Sequence, residues 1–306
     1  MKIVEGYKWK GWPNCILLSN QILDIIATTD IGPRIISFSY AQEENIFLEI
    51  DKDLGKTNGS DYRLYGGTRL WHSPEAKPRT YYPDNKKVDY KWDGEGLKLL
   101  QEVETTTGMQ KEIYIKLDLK TAKAEINYKI YNRNLWPIRF SPWAITLLAK
   151  GGRAILPQEP FQSWEDNLLP VRPLVLWSYT KMNDSRFIWG EKYIQIKQDT
   201  KPASPLKIGV LNTLGWGVYC KNNYVFIKRY PFIKGEEYPD FNCNTEVYTD
   251  ANLFELETLG PLKVIEPGSY AEHKENWYLF KEEIGESEDL IDKKLLPLIE
   301  KTEIPK

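Results

Sequence analysis

Alternation is the strongest signal along the chain. In KEIYIKLDLK, residues 111–120, Ile113, Ile115, Leu117 and Leu119 fall on one side, and Glu112, Tyr114, Lys116, Asp118 and Lys120 fall on the other. Residues 123–131 repeat the pattern, with Ala124, Ile126, Tyr128 and Ile130 inward. A period of two belongs to a strand, whose successive side chains point to opposite faces, so both segments predict antiparallel strands with one buried and one wetter face. Turn signals recur between such runs, among them Asn58-Gly59-Ser60, Asp93-Gly94-Glu95-Gly96, Asn132-Arg133-Asn134, Asn222-Asn223 and Pro267-Gly268. They separate roughly fifteen segments of strand character.

Helical spacing is confined to the tail. In 287–301, Ser287 is placed to cap a helix, and Leu290, Ile291, Leu295, Leu298 and Ile299 form its apolar stripe. Pro297 inside the stripe predicts a kink or an end, because it lacks the N–H that a helix interior needs. The stretches 51–61 and 157–186 read as loops, but strands resume after each, with no repeat and no low-complexity linker. The expected architecture is all-β: one antiparallel sandwich domain over residues 1–306 with a short C-terminal helix, and helix below about a fifth of residues.

Composition narrows the function. With 41 Lys+Arg against 43 Asp+Glu in 306 residues, the net charge is −2, which excludes a basic nucleic-acid binder. No run approaches the about 18 apolar residues that span a bilayer, and MKIVEGYKWKGW has no apolar signal core. A cytoplasmic protein with no membrane and no nucleic-acid partner is the expectation. Cys15, Cys220 and Cys243 form no CxxC pair and read as buried thiols in a reducing compartment. His72 and His273 make no HxH or HxxxH spacing, so neither a metal site nor another cofactor is expected.

Several longer segments carry a family resemblance. NQILDIIATTDIGPRIISFSY (20–40), YNRNLWPIRFSPWAITLLAKGG (131–152) and FELETLGPLKVIEPGSYAEHKENWYLF (254–280) resemble the opening hairpin, the central strand pair and the last strands of the galactose mutarotase (aldose 1-epimerase) superfamily. GGTRLWHSPE (66–75) with YYPDN (81–85) resembles a branch of that superfamily whose function is mostly unassigned. The resemblance implies a β-supersandwich of two large antiparallel sheets with a sugar cleft, in which a Glu takes the proton of the anomeric hydroxyl, a His protonates the ring oxygen and an Arg helps hold the sugar. Mutarotation removes one proton and adds another, so a base and an acid on either side of the acetal carbon suit it.

Glu257 is the position that matches the family base. Alternation puts Glu255 and Glu257 on one strand face and Phe254, Leu256 and Thr258 on the other. The central strand that carries the family's His reads Phe140-Ser141-Pro142-Trp143-Ala144-Ile145 and has none, so the acid role falls to His72, with Glu75 three residues on to orient it. Arg69 and Trp71 share a face, and His72 falls opposite unless the strand bends at Ser73-Pro74. Lys228, among Tyr224, Phe226 and Tyr230, is either a snorkelling side chain or a cleft cation for an acidic sugar. Trp71, Trp143 and Trp216 are candidates to stack on a sugar face, and His273 reads as surface. The expectation is a cleft where Arg69, His72, Lys228, Glu255 and Glu257 converge, with His72 within about 10 Å of the nearer carboxylate, a span one pyranose bridges. The expected partner is a sugar or sugar acid. The expected protein is an aldose 1-epimerase-like isomerase, a different sugar enzyme reusing the cleft, or a non-catalytic carbohydrate-binding protein on the same fold.

Overall fold

The alternating segments form the strands of three antiparallel sheets. The computed structural model describes residues 1–201 and 204–306, with 44% of residues in strands and 6% in helices. Strands Met109–Leu117 and Lys123–Asn132 pair with Ile113 opposite Tyr128 and Ile115 opposite Ile126, all four buried. Leu119 departs from the expected stripe and is 64% exposed. The Asp118 carboxylate accepts the N–H groups of Lys120 and Thr121, which turns the chain before Leu119 can continue the strand.

The largest sheet has ten strands in the order Phe187–Trp189, Tyr193–Lys197, Arg153–Pro157, Trp216–Lys221, Tyr224–Arg229, Tyr270–Lys281, Lys123–Asn132, Met109–Leu117, Leu97–Leu100 and Asp89–Trp92. The second has seven: Leu174–Leu176, Leu206–Val210, Thr245–Thr249, Phe254–Leu259 and Ile138–Leu147 in order, the last of these pairing also with Lys263–Ile265 and with Thr68–Ser73. The first four strands, Lys2–Trp9, Trp12–Ser19, Leu23–Thr28 and Arg34–Tyr40, make a meander of their own. Between the two large sheets lies the main core, where Leu70, Ala144, Val247 and Leu256 of one meet Ile126, Phe226, Trp277 and Leu279 of the other.

The outer face of the ten-stranded sheet is closed by the tail. Ser287 caps helix Glu288–Lys294, its hydroxyl accepting the Leu290 N–H at 3.4 Å. The helix breaks at Leu295, two residues before Pro297, and resumes as the single turn Leu296–Ile299. Ile291, Leu295 and Ile299, spaced by four, pack on Val225 and Ile227, whereas Leu290 is 41% exposed and outside the stripe. Cys15, Cys220 and Cys243 are buried free thiols.

A buried ion pair bridges the two sheets inside the main core. Lys228 is fully buried, with Nζ 2.9 Å from Glu275 Oε1 and 3.2 Å from the Leu256 carbonyl. Glu275 also accepts from Tyr128 at 3.1 Å and from the Trp277 indole at 2.7 Å, and from Thr258. Burial pulls the Glu275 carboxyl up, but Lys228, His273 and the Thr258 hydroxyl outweigh it and leave it below its ordinary value. Two expectations are corrected here. Lys228 is an interlayer cation and neither snorkels nor enters a cleft, because alternation turns it inward with Phe226. His273 is buried at 3% exposure, with Nε2 2.8 Å from the Thr258 hydroxyl, and burial pushes it down to about 4.

Lys228→Met leaves the Glu275 carboxylate buried without its cation and is expected to cost about 3–5 kcal/mol in urea unfolding at pH 7. Adding Glu275→Gln is expected to recover much of that loss. A single variant of near wild-type stability would show that the pair carries little of the core.

Candidate functional site

Register assembles charged and aromatic side chains on the face of the seven-stranded sheet turned away from the main core. Arg69 stands opposite Ile145, Ile145 opposite Glu257, and Glu257 opposite Glu246. In the neighbouring row Lys207 stands opposite Tyr248, and Tyr248 opposite Glu255. Trp71 stands opposite Trp143. The intervening residues Leu70, Ala144, Leu256, Val247 and Ile208 all enter the core, so the sheet's period of two separates the two faces cleanly.

Loop segments wall this face into a cleft of about 470 Å³, in the range of small-molecule sites. Its lining includes Tyr62 and Leu64 from one loop, Glu75 and Tyr81 from another, and Trp177 and Tyr179 after strand Leu174–Leu176. The first loop is held down by the Gly66-Gly67 pair, both at positive φ. A Cβ at Gly66 would lie 2.1 Å from the Leu48 carbonyl oxygen, and one at Gly67 would lie 2.2 Å from that of Ile35. The glycines thus serve the approach of backbone to backbone.

Two cations organise the floor. Arg69 Nη2 is 2.8 Å from Glu255 Oε1, and its guanidinium lies 4.5 Å from the Trp71 ring centroid. Lys207 Nζ is 2.7 Å from Glu246 Oε2 and 2.8 Å from Glu257 Oε2, with the rings of Trp143 and Trp177 at 4.5 and 4.8 Å. The Trp143 indole donates to the same Glu257 oxygen at 2.8 Å. Burial alone lowers Lys207, but Glu246 and Glu257 outweigh it and hold the ammonium above its ordinary value. Burial pushes Glu246 well above the carboxylate range, with Glu257 and Asp240 pushing the same way against Lys207. Burial likewise raises Glu255, against the pull of Arg69.

No protein-family model and no curated protein matches the sequence. Solved structures do match. The Slr1438 protein of Synechocystis sp. PCC 6803 superposes with a TM-score of 0.57 at 12% identity, over 91% of this chain and 100% of that one. A galactose mutarotase-like protein from Lactobacillus casei gives 0.54 at 11% identity, over 87% and 100%. A galactose mutarotase related enzyme from Lactobacillus acidophilus gives 0.52 at 11%, over 88% and 98%. The chain has the galactose mutarotase-like fold. At such identities the likeness carries the architecture, and the chemistry has to be read from this chain's own side chains.

On that galactose mutarotase-like scaffold the expected site residues separate. Arg69, Trp71, Glu75 and Glu255 line the cleft, as does Trp143. Glu257 shares the face of Glu255 but is fully buried under Trp143 and Lys207 and does not line the cleft. Its Oε1 has no protein partner. His72 is on the opposite face from Arg69 and Trp71, in the main core beside Phe140 at 6.4 Å, and the strand does not bend to bring it round. Both its ring nitrogens are buried without a hydrogen-bond partner among the described residues. Burial pushes it down to about 2, with Lys111 and Arg79 adding to the effect, so it is neutral and no acid for the cleft. Glu75 accepts from the Tyr81 hydroxyl and does not orient His72. Lys228 belongs to the other sheet, and Trp216 lines a separate hollow of about 440 Å³ near the tail helices.

Lys207, Glu246, Trp177, Tyr179 and Tyr248 escaped the reading of the sequence. The signal was present: LKIGV and TEVYT set Lys207 and Glu246 within strand-like runs beside Ile208 and Val247, as YVFIKRY sets Lys228 beside Ile227. Alternation alone does not say which of two polar-bearing faces meets a cleft and which meets another sheet. A further hollow of about 530 Å³ on the outer face of the ten-stranded sheet holds Lys116–Glu95 and Lys123–Glu125 pairs, which satisfy one another near solvent.

Two outcomes follow from these environments. His72 is neutral in the fold and ionises in the unfolded chain below its ordinary 6.5, so it stabilises fully above pH 6.5 and less as pH falls toward 2. The loss has a slope of up to about 1.4 kcal/mol per pH unit. His72→Leu is therefore expected to flatten the fall of Tm between pH 7.5 and 5; parallel curves would show that His72 titrates normally. Lys207→Met is expected to cost about 3–5 kcal/mol in urea at pH 7.5, because it strands Glu246 and Glu257. That deficit should shrink toward pH 5 as Glu246, raised by burial, takes up its proton, and a deficit independent of pH would show that lost packing outweighs lost charge.

Proposed function

We propose that the cleft binds the ring of a free sugar and exchanges its anomers, as an aldose 1-epimerase-like isomerase. The observation that carries this reading is Glu255, a carboxylate that lines the aromatic cleft, has one oxygen held by Arg69 and is raised by burial. Glu255 takes the proton of the anomeric hydroxyl while the bond from the anomeric carbon to the ring oxygen breaks. The ring oxygen receives a proton from cleft water beside the Tyr81 hydroxyl, which Glu75 holds in place by accepting its hydrogen bond. Reclosure from the other face of the carbonyl returns both protons. Lys207, fixed by Glu246 and Glu257, presents positive charge to the oxygen that gains electron density. The tryptophan and tyrosine rings pack on the sugar's C–H faces. Glu257 supports this arrangement through Lys207 and Trp143 and has no contact with the sugar.

A second reading, a non-catalytic carbohydrate-binding protein, draws on one observation: both histidines lie outside the cleft. Polarimetry of freshly dissolved aldoses separates the two. The isomerase reading expects faster mutarotation for at least one sugar and a drop in kcat of about 10² or more in Glu255→Gln, the share of one general acid or base. A sugar that binds by calorimetry while interconverting at the uncatalysed rate would establish the binding protein instead.

A further inference from the structure

We propose that the cleft selects a sugar bearing an ammonium group over its neutral parent and rejects sugar acids; this rests on the reading of the cleft as a sugar site. The first ground is a count of charge. Arg69 and Lys207 are the cations of the cleft and its floor, and each is already engaged, Arg69 by Glu255 and Lys207 by Glu246 and Glu257 together. Glu75 lines the cleft and has no cationic partner among the described residues. Asp240 adds a fifth carboxyl beside the floor, 3.5 Å from the Ser73 hydroxyl. Five carboxyls therefore face two cations. Lys77, 5.4 Å from the Tyr81 ring centroid, is exposed at the rim as Glu75 is, and water screens the two alike, so carboxyls still outnumber cations with Lys77 counted.

The second ground is the lining. Trp71, Trp143 and Trp177 already hold cations against their faces, and Tyr62, Tyr81 and Tyr179 extend the same aromatic wall. Aromatic faces attract ammonium groups and repel carboxylates, more strongly once water is displaced. Arg69 lines the cleft at 4% exposure, its guanidinium set between the Trp71 ring and Glu255. Of the two cations that suggested a sugar acid, Lys228 belongs to the main core and Arg69 is already paired with Glu255.

Proton linkage gives the proposal a second signature. Burial disfavours the ionised forms of Glu246, Glu255 and Asp240 and raises all three. An arriving ammonium favours the ionised forms and expels protons, so its affinity rises with pH. A neutral sugar has no such dependence on charge.

Calorimetry on the full chain with glucosamine, galactosamine, glucose, galactose, glucuronate and galacturonate tests this at pH 5, 6 and 7. The amino sugars are expected to bind at least about tenfold tighter than their parents at pH 7, with the ratio growing from pH 5 to 7, falling in high salt, and falling at least about threefold in Glu75→Gln. The uronates are expected to bind at least about tenfold more weakly than the parents. Equal affinity of amino and neutral sugars, or tighter binding of a uronate, overturns the charge selection while leaving the sugar site standing. No binding by any of the six removes the sugar reading and this proposal together.

Discussion

Ion pairing across neighbouring strands is the constraint on which this site depends. A buried carboxylate without a partner costs several kcal/mol, so Glu246, Glu255 and Glu257 can share one sheet face only with cations in register beside them. The pairing of strand Phe254–Leu259 with its neighbours supplies them: Arg69 reaches Glu255, and Lys207 reaches both other carboxylates. A slip of one residue in that strand would turn Phe254 and Leu256 toward the cleft and bury both glutamates between the sheets. The charges therefore help specify the register that positions them.

The molecule uses the same chemistry twice, to different ends. Around Glu275 the donors Lys228, Tyr128, Thr258 and Trp277 saturate a single carboxylate inside the main core, which leaves a finished structural joint. Around Lys207 the balance is reversed. Carboxylates outnumber cations, and Glu257 Oε1 together with Arg69 Nε and Nη1 lacks a protein partner.

Segregation of the faces explains how both arrangements coexist in one sandwich. Aromatic rings dominate each, but Phe38, Phe47, Phe226 and Trp277 pack edge to face within the core, whereas Trp71, Trp143 and Trp177 stand over cations at the cleft. The loops that wall the cleft are seated by backbone approach at Gly66 and Gly67, so its shape is set by main-chain packing as much as by its lining side chains.

Local pattern determined much of this protein. Alternation in 111–117 and 123–131, the capped tail at Ser287 with its break before Pro297, and the shared face of Glu255 and Glu257 are all properties of adjacent residues, and short-range sterics and hydrogen bonding suffice to produce them. The same alternation placed His72 opposite Arg69 and Trp71. What lies across from each face was decided only by tertiary structure. Lys228 and Lys207 occupy equivalent sequence settings, a lysine within an apolar strand, yet one meets Glu275 in the core and the other meets two tryptophans at the cleft. Glu255 and Glu257 differ by two positions on one strand, and only the indole of Trp143 and the ammonium of Lys207, from strands distant in sequence, cover one and leave the other open. Which of two like faces becomes a core and which a site is a property of sheet stacking and loop cover, and neither is encoded within a strand's own length.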